Sequence, residues 1–409
     1  MKRREFLERG VLATSGMLAF ANGIPIGGGL RRIGKDFVSA GKDIRILTLE
    51  GTPKNRGRIH GEALRGEIHE VLGRWKDGIG RTLGLDPDSY VSEFFENTNF
   101  MPSITRWTPD LLEEVEGLAE GAGLDFKTMY VYQLADEDFW YSRKKALQKS
   151  ARREGHCSAL GVFDPGSAPL LAQNMDLTKM YDGTQVLLRI KHTGSSLESH
   201  VFSFAGFLAL TGVNNRPLGI CCNTLLRLNY STDGLPVAFI VRRVLELGGL
   251  AEAEEFLRRV QHASGQNYTI GGSRAVAAFE CSSGRVSRFM PRPDARRVYH
   301  TNHPLVNDDQ SIYKEIIDKL PPEKRPMKPS NSEVRFDFLA RNLGDTTSRI
   351  GVEEVKSMLA STEVPICFDG KESDDLFTLG CLIMELSSPP VLHLSPGPPC
   401  TTPFRTYRF

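Results

Sequence analysis

Two apolar runs, Cys157 to Phe163 and Pro169 to Leu177, flank Asp164-Pro165-Gly166-Ser167-Ala168, and no other stretch constrains the fold of this chain as strongly. A short Pro/Gly segment between two such runs joins antiparallel strands. Folding about Gly166 and Ser167 brings Cys157 opposite Met175 or Asp176. Directly opposed residues have Cβ atoms about 4.5–5.5 Å apart, so a thiol and a carboxylate become neighbours through backbone pairing alone. A thiol with a free pKa of about 8.5 is mostly protonated at neutral pH and needs a base. A residue that becomes a chain N-terminus can use its own α-amine, whose pKa is about 7.7–8.0. For Cys157 that means cutting the His156–Cys157 peptide bond: attack of the thiol on the preceding carbonyl, an N-to-S acyl shift, and loss of the thioester to water.

The rest of the chain is consistent with a folded carrier for this chemistry. The 409 residues are 40% hydrophobic and 25% charged, ordinary values for a globular protein. The 51 Lys/Arg and 50 Asp/Glu give a formal net charge of +1, so no field favours nucleic acid or an anionic surface. Seven cysteines are an odd number with no CxxC spacing, which argues against both a zinc site and a scaffold built on disulfides. Lys2-Arg3-Arg4-Glu5-Phe6-Leu7, the apolar stretch from Gly10 and the end Ala19-Phe20-Ala21 follow the order of a twin-arginine signal peptide. Residues 1–21 are expected to be removed and the protein exported to the periplasm or outside the cell. No later segment is apolar and long enough to span a membrane.

Residues 22–156 read as a mostly helical light segment and 157–409 as a strand-rich heavy segment. Helical periodicity appears in Arg58 to Lys76, Leu111 to Glu120 and Thr128 to Trp140. Residues 144–154 are a charged loop that ends at His156. Strands are expected at Val186 to Lys191, Ser199 to Thr211, Gly219 to Thr224, Tyr268 to Ile270, Ala275 to Cys281, Val286 to Met290, Phe377 to Leu386 and Val391 to Leu394. Helices are expected at Pro236 to Leu247, Ala251 to Gln261, Gln310 to Asp318, Glu333 to Asn342 and Val352 to Leu359. Blocks of strands between blocks of helices indicate a layered α+β domain with sheets inside.

Several short segments, weak singly, occur together in one order: Gly51-Thr52-Pro53, Arg56-Gly57, His60-Gly61-Glu62, Glu116-Gly117-Leu118-Ala119-Glu120-Gly121, Cys157-Ser158 with Gln173-Asn174-Met175-Asp176, Gly212-Val213-Asn214, Gly219, Asn223, Asn267-Tyr268, His300-Thr301-Asn302-His303, Ser332 with Arg335, and Gly397-Pro398-Pro399-Cys400. In this the chain resembles the self-cleaving N-terminal-nucleophile hydrolases of the acyl-coenzyme A:6-aminopenicillanic acid acyltransferase type. The resemblance implies a four-layer αββα sandwich and an amidohydrolase or acyltransferase acting on an amide or N-acyl small molecule through a thioester. It implies Cys157 as nucleophile, Asp176 as the carboxylate orienting its amine, and Asn223 and Asn267 as oxyanion donors. Gln173, Asn174, His303, Ser332 and Arg335 become supporting or substrate-binding residues, the last two helping processing or gripping a substrate carboxylate. No cofactor and no metal are called for. The chain differs from the archetype at His156, where glycine precedes the nucleophile, and at Ala159, where the archetype has a hydroxyl.

Other readings of the same residues stand beside this one. Cys157 alone reads as a core residue, Asp176 as a turn or strand cap, and Asn223 and Asn267 as satisfied strand-end amides. His300 or His303 with Cys157 would make a papain-like cysteine peptidase without self-cleavage, and the scaffold without chemistry would be a binding protein. Arg242-Arg243 and Arg258-Arg259 read as solvated helix faces.

Overall fold

The computed structural model describes residues 43–138, 140–141, 156–292, 296–321, 325, 329–344, 347–371 and 375–409. The expected signal peptide and the charged loop 144–154 lie outside them.

After a short strand, β1 (Arg45–Leu49), helices form where a capping side chain meets proline. Thr52 accepts from Asn55 N ahead of α1 (Pro53–Ala63), and Asp86 accepts from Ser89 N ahead of α3 (Pro87–Glu96). Proline in the first turn loses no helical hydrogen bond, so both caps come without cost. Between them runs α2 (Arg65–Leu83), and α4 (Met101–Trp107), α5 (Pro109–Ala122) and α6 (Phe126–Tyr132) follow. The single periodic run from Arg58 to Lys76 is two helices broken at buried Leu64, after which Arg65 reaches across to the Gly121 carbonyl. α3 and α4 escaped the periodicity because each is too short to repeat its apolar stripe clearly. The motifs Arg56-Gly57, His60-Gly61 and Gly117 to Gly121 are where α1 packs on α5. A Cβ at Gly57 or Gly61 would run into α5 backbone, and one at Gly117 or Gly121 into α1 backbone.

The chain after Cys157 supplies β2 (Ser158–Val162), β3 (Leu170–Thr178), β4 (Gln185–Lys191), β5 (Glu198–Phe204), β6 (Thr211–Asn214), β7 (Leu218–Thr224), β8 (Gln266–Gly272), β9 (Ala275–Cys281), β10 (Val286–Phe289), β11 (Arg297–His300), β12 (Leu376–Glu385), β13 (Val391–Ser395) and β14 (Arg405–Arg408). They form an eight-stranded sheet, β1-β4-β5-β6-β7-β8-β9-β10, and a six-stranded sheet, β11-β2-β3-β12-β13-β14. β1 pairs parallel to β4, and the other pairs are antiparallel. The sheets stack closely enough that Gly219 and Gly271 of one lie against Leu171 of the other with no room for a side chain. α7 (Val237–Val244) and α8 (Leu250–Arg259) pack on the outer face of the larger sheet. α9 (Ser311–Asp318) precedes α10 (Asn331–Leu343) and α11 (Val352–Leu359), and the last two cover the outer face of the smaller sheet. The result is the expected αββα sandwich.

Three expectations need correction. Ser199 to Thr211 is two strands, separated by a buried turn at Gly206 (φ +78°). That turn is possible because light-segment side chains satisfy its backbone: Gln133 bonds Gly206 O and Leu208 N, and His60 accepts from Gly206 N. Arg242 is not solvated: its guanidinium is 1% exposed and pairs with buried Glu114, which also pairs with buried Arg56. Amphipathic spacing alone did not reveal that both sides of α7 are covered. Cys367 and Cys400, 33 residues apart, form a disulfide, while the other five cysteines are free and buried. Spacing could not show this pair, because the return of β12 and β13 brings the two together.

Candidate active site

The β2–β3 ladder runs from Ser158↔Asn174 to Val162↔Leu170 around a turn whose Gly166 has φ +79°. One step beyond, Cys157 meets Met175, with the two sulfurs 3.7 Å apart, and the Asp176 backbone also hydrogen-bonds the thiol. Burial, aided by the nearby Asp176 charge, pushes the thiol up to about 12. Asp176 Oδ1 accepts the Thr378 hydroxyl at 2.6 Å, whereas its buried Oδ2 has no partner among the described residues. Burial pushes the Asp176 carboxyl up to about 7, against the opposing pull of Thr378 and Arg335.

His156 is half-buried, with its ring edge-on to Phe368 at 5.5 Å. Burial and the Arg335 charge drive its imidazole down to about 3, so it is neutral at physiological pH. Arg335, on α10, donates to Cys157 O at 2.7 Å, Ser158 Oγ at 2.9 Å, Asn302 Oδ1 at 2.9 Å and Asn331 Oδ1 at 2.6 Å. With no exposed surface, it braces the strand that begins at Cys157. Ser332 Oγ accepts from Asn302 N at 2.7 Å and bonds His303 Nδ1 at 2.8 Å, which fixes the 301–303 turn against α10.

Asn223 stands opposite Asn267 across β7 and β8. Asn267 Nδ2 donates to Asn223 Oδ1 and to Thr269 Oγ1, both at 3.0 Å. Asn223 Nδ2 is buried and unspent among the described residues. Gln173 ties this pair to the β2–β3 hairpin by bonding both the N–H and the carbonyl of Cys222 across the sheets. Asn174 points the other way, donating to Leu359 O and Ile366 O on the α11 side. Its role is to hold the sheet to the helix layer.

His300 and His303 are held by other partners than the thiol. His300 is spent on Glu280 Oε1 and Thr301 O, and among the described residues neither it nor His303 hydrogen-bonds Cys157. Two residues that bear on the site were missed. Thr378 lies 202 positions from Asp176. Asp136, from the light segment, accepts from Thr224 Oγ1 at 3.2 Å and Gln266 Nε2 at 3.1 Å, the neighbours of Asn223 and Asn267. Burial pushes the Asp136 carboxyl up to about 6. Its signal in the sequence was the run Asp136-Glu137-Asp138 inside an apolar helical stretch. Among the described residues no group of three His, Cys, Asp or Glu is arranged to hold a metal ion.

Known proteins resemble this chain. It is 26% identical over 356 residues to protein dcd1A of Dictyostelium discoideum, covering 75% of this chain and 72% of that one. It is 24% identical over 266 residues to the 40 kDa form of acyl-coenzyme A:6-aminopenicillanic-acid-acyltransferase of Emericella nidulans, covering 65% and 71%. Among solved structures, the Caenorhabditis elegans ortholog of N-acylethanolamine-hydrolyzing acid amidase superposes with a TM-score of 0.41 at 14% identity, over 62% of this chain and 100% of that one. The model of the family described as acyl-coenzyme A:6-aminopenicillanic acid acyl-transferase matches residues 163–373, more than half of the sequence, and the chain belongs to that family.

Proposed function

We propose that this protein is a self-activating cysteine amidohydrolase or acyltransferase that acts on an amide or N-acyl small molecule through a thioester on Cys157. The observation that carries this reading is the pairing of Cys157 with Asp176, whose backbone hydrogen-bonds the thiol and whose buried Oδ2 has no partner among the described residues; Asn223, with Nδ2 likewise unspent, follows Cys222, which Gln173 ties to the same hairpin. Burying a carboxylate oxygen without a partner is costly, and one placed in the residue whose backbone bonds a thiol is explained by chemistry done there. Family membership supports acyl-group chemistry.

In processing, the Cys157 sulfur bonds to the His156 carbonyl carbon, the carbon–nitrogen bond breaks, and the nitrogen takes a proton to become an α-amine. Water then hydrolyses the thioester, which frees the thiol and leaves a carboxylate on His156. The light segment stays attached through contacts such as Glu114 with Arg242. In turnover the new amine, oriented by Asp176, takes the thiol proton as sulfur attacks the substrate carbonyl. The Asn223–Asn267 pair stabilises the oxyanion, the amine passes the proton to the leaving group, and water or an amine removes the acyl group. Export through the twin-arginine signal would put the enzyme where acyl-coenzyme A is scarce, which favours hydrolysis over coenzyme-dependent transfer. The papain-like alternative is less favoured because His300 is committed to Glu280, His303 bonds Ser332, and among the described residues neither hydrogen-bonds Cys157.

Intact-mass measurement and N-terminal sequencing test this. The purified protein is expected as two fragments, one beginning at Cys157, and that fragment gains one acyl group from an activated ester. Cys157→Ala is expected to stay in one piece and unlabelled. An active protein that remains uncut at residue 157 refutes the mechanism.

A further inference from the structure

The carboxylate that serves the new amine is itself held from behind. Thr378 sits where the β12–β3 ladder slips between Thr378 and Gly380. Its hydroxyl donates to Asp176 Oδ1 at 2.6 Å and accepts the Phe368 backbone N–H at 3.0 Å. Thr378 N donates in turn to Phe368 O at 2.9 Å. A hydroxyl has one hydrogen, so with Phe368 occupying a lone pair that hydrogen is committed to Asp176. Neighbours hold Phe368 in place: Cys367 is bonded to Cys400, Ile366 O receives Asn174 Nδ2 at 2.7 Å, and the Phe368 ring meets His156 edge-on. One short tethered segment therefore touches the residue before the cut, the nucleophile's hairpin and, through Thr378, the carboxylate.

We infer that Thr378, oriented by the Phe368 main chain and the Cys367–Cys400 tether, is a positioning residue that favours the ionised form of Asp176 and leaves only its second oxygen for the Cys157 amine. The inference rests on the function proposed above. Hydrogen bonding to a carboxylate favours its charged form. The other groups facing Asp176 are Arg335 from α10, which acts in the same direction, and the thiols of Cys157 on the β2 side and Cys381 of β12, both kept neutral by burial.

The test is the rate of Cys157 acylation by a neutral p-nitrophenyl ester, measured against pH on processed protein. Thr378→Val keeps the shape and removes the donor. Its acid limb is expected about one to two pH units higher than wild type, the size of a lost hydrogen bond to a charged group, with the plateau at high pH little changed. Thr378→Ser keeps the donor and is expected to follow the wild-type limb. If near-UV circular dichroism finds the valine variant misfolded, Thr378→Ala is read the same way. A donor-free variant with a wild-type limb, or a serine variant shifted as far as the valine, overturns the role of Thr378 while leaving the function intact. Wild-type protein that is neither cut nor acylated overturns the proposed function and this role together.

Discussion

Cys157 is a weak nucleophile where it stands, because burial and the nearby Asp176 hold its thiol at about 12 and its side-chain contact is Met175 rather than a histidine. The proposed cut before it would change the local chemistry by adding an amine beside Asp176. The two residues proposed to stabilise the oxyanion are coupled, since Asn267 spends its amide on orienting Asn223. Asn223→Ala is therefore expected to lower kcat/KM by about 10²–10³, the usual effect of removing an oxyanion donor. Asn267→Ala should cost a similar factor, and the double variant little more than the worse single one. Fully multiplicative losses in steady-state kinetics would show two independent donors instead. Cys157 and Asp176 could be found in the sequence because a tight hairpin makes their proximity a local matter. Thr378 could not, because a threonine in an apolar strand gives no sign of which distant carboxylate it will meet.

At the scale of elements, glycine has opposite effects at different sites. Gly117 lets α5 lie directly on α1, and a methyl group there would press on the Lys54 carbonyl. Gly117→Ala is expected to destabilise by about 3 kcal/mol, the upper end of overpacking costs. Gly73 lies in α2, where an added Cβ would meet nothing within 4 Å, so Gly73→Ala should gain roughly 0.5–1 kcal/mol through helix propensity. Chemical denaturation of the two variants checks the opposite signs. The paired glycines were legible as a motif, but their partner helix was not. Helix caps and strand alternation had the reverse character: Val352–Leu359 was readable to the residue, since its pattern and stops lie within one short stretch.

Across the whole molecule, buried titratable groups set the pH dependence of stability. Burial raises Asp176 to about 7 and Glu137 to about 8, so their contribution is full below the unfolded carboxyl pKa and is lost as pH rises through these values. Buried His60 and His262, lowered to about 4, act oppositely: their contribution is present above about 6.5 and lost as pH falls toward 4. Between about pH 6.5 and 8 the carboxyls act unopposed by these histidines. The Tm of uncut Cys157→Ala protein should accordingly fall over that interval, and Glu137→Gln should flatten the fall; thermal melts at several pH values decide it. By itself the sequence determined the hairpin that begins at Cys157, most helices and strands, and the family, since side-chain alternation, caps and turn residues act within a few positions. Only the tertiary structure decided that Asn223 faces Asn267, that Arg242 is buried on Glu114, that Cys367 reaches Cys400 and that Thr378 holds Asp176. Those contacts depend on the order in which strands join two stacked sheets, a choice that no local pattern encodes.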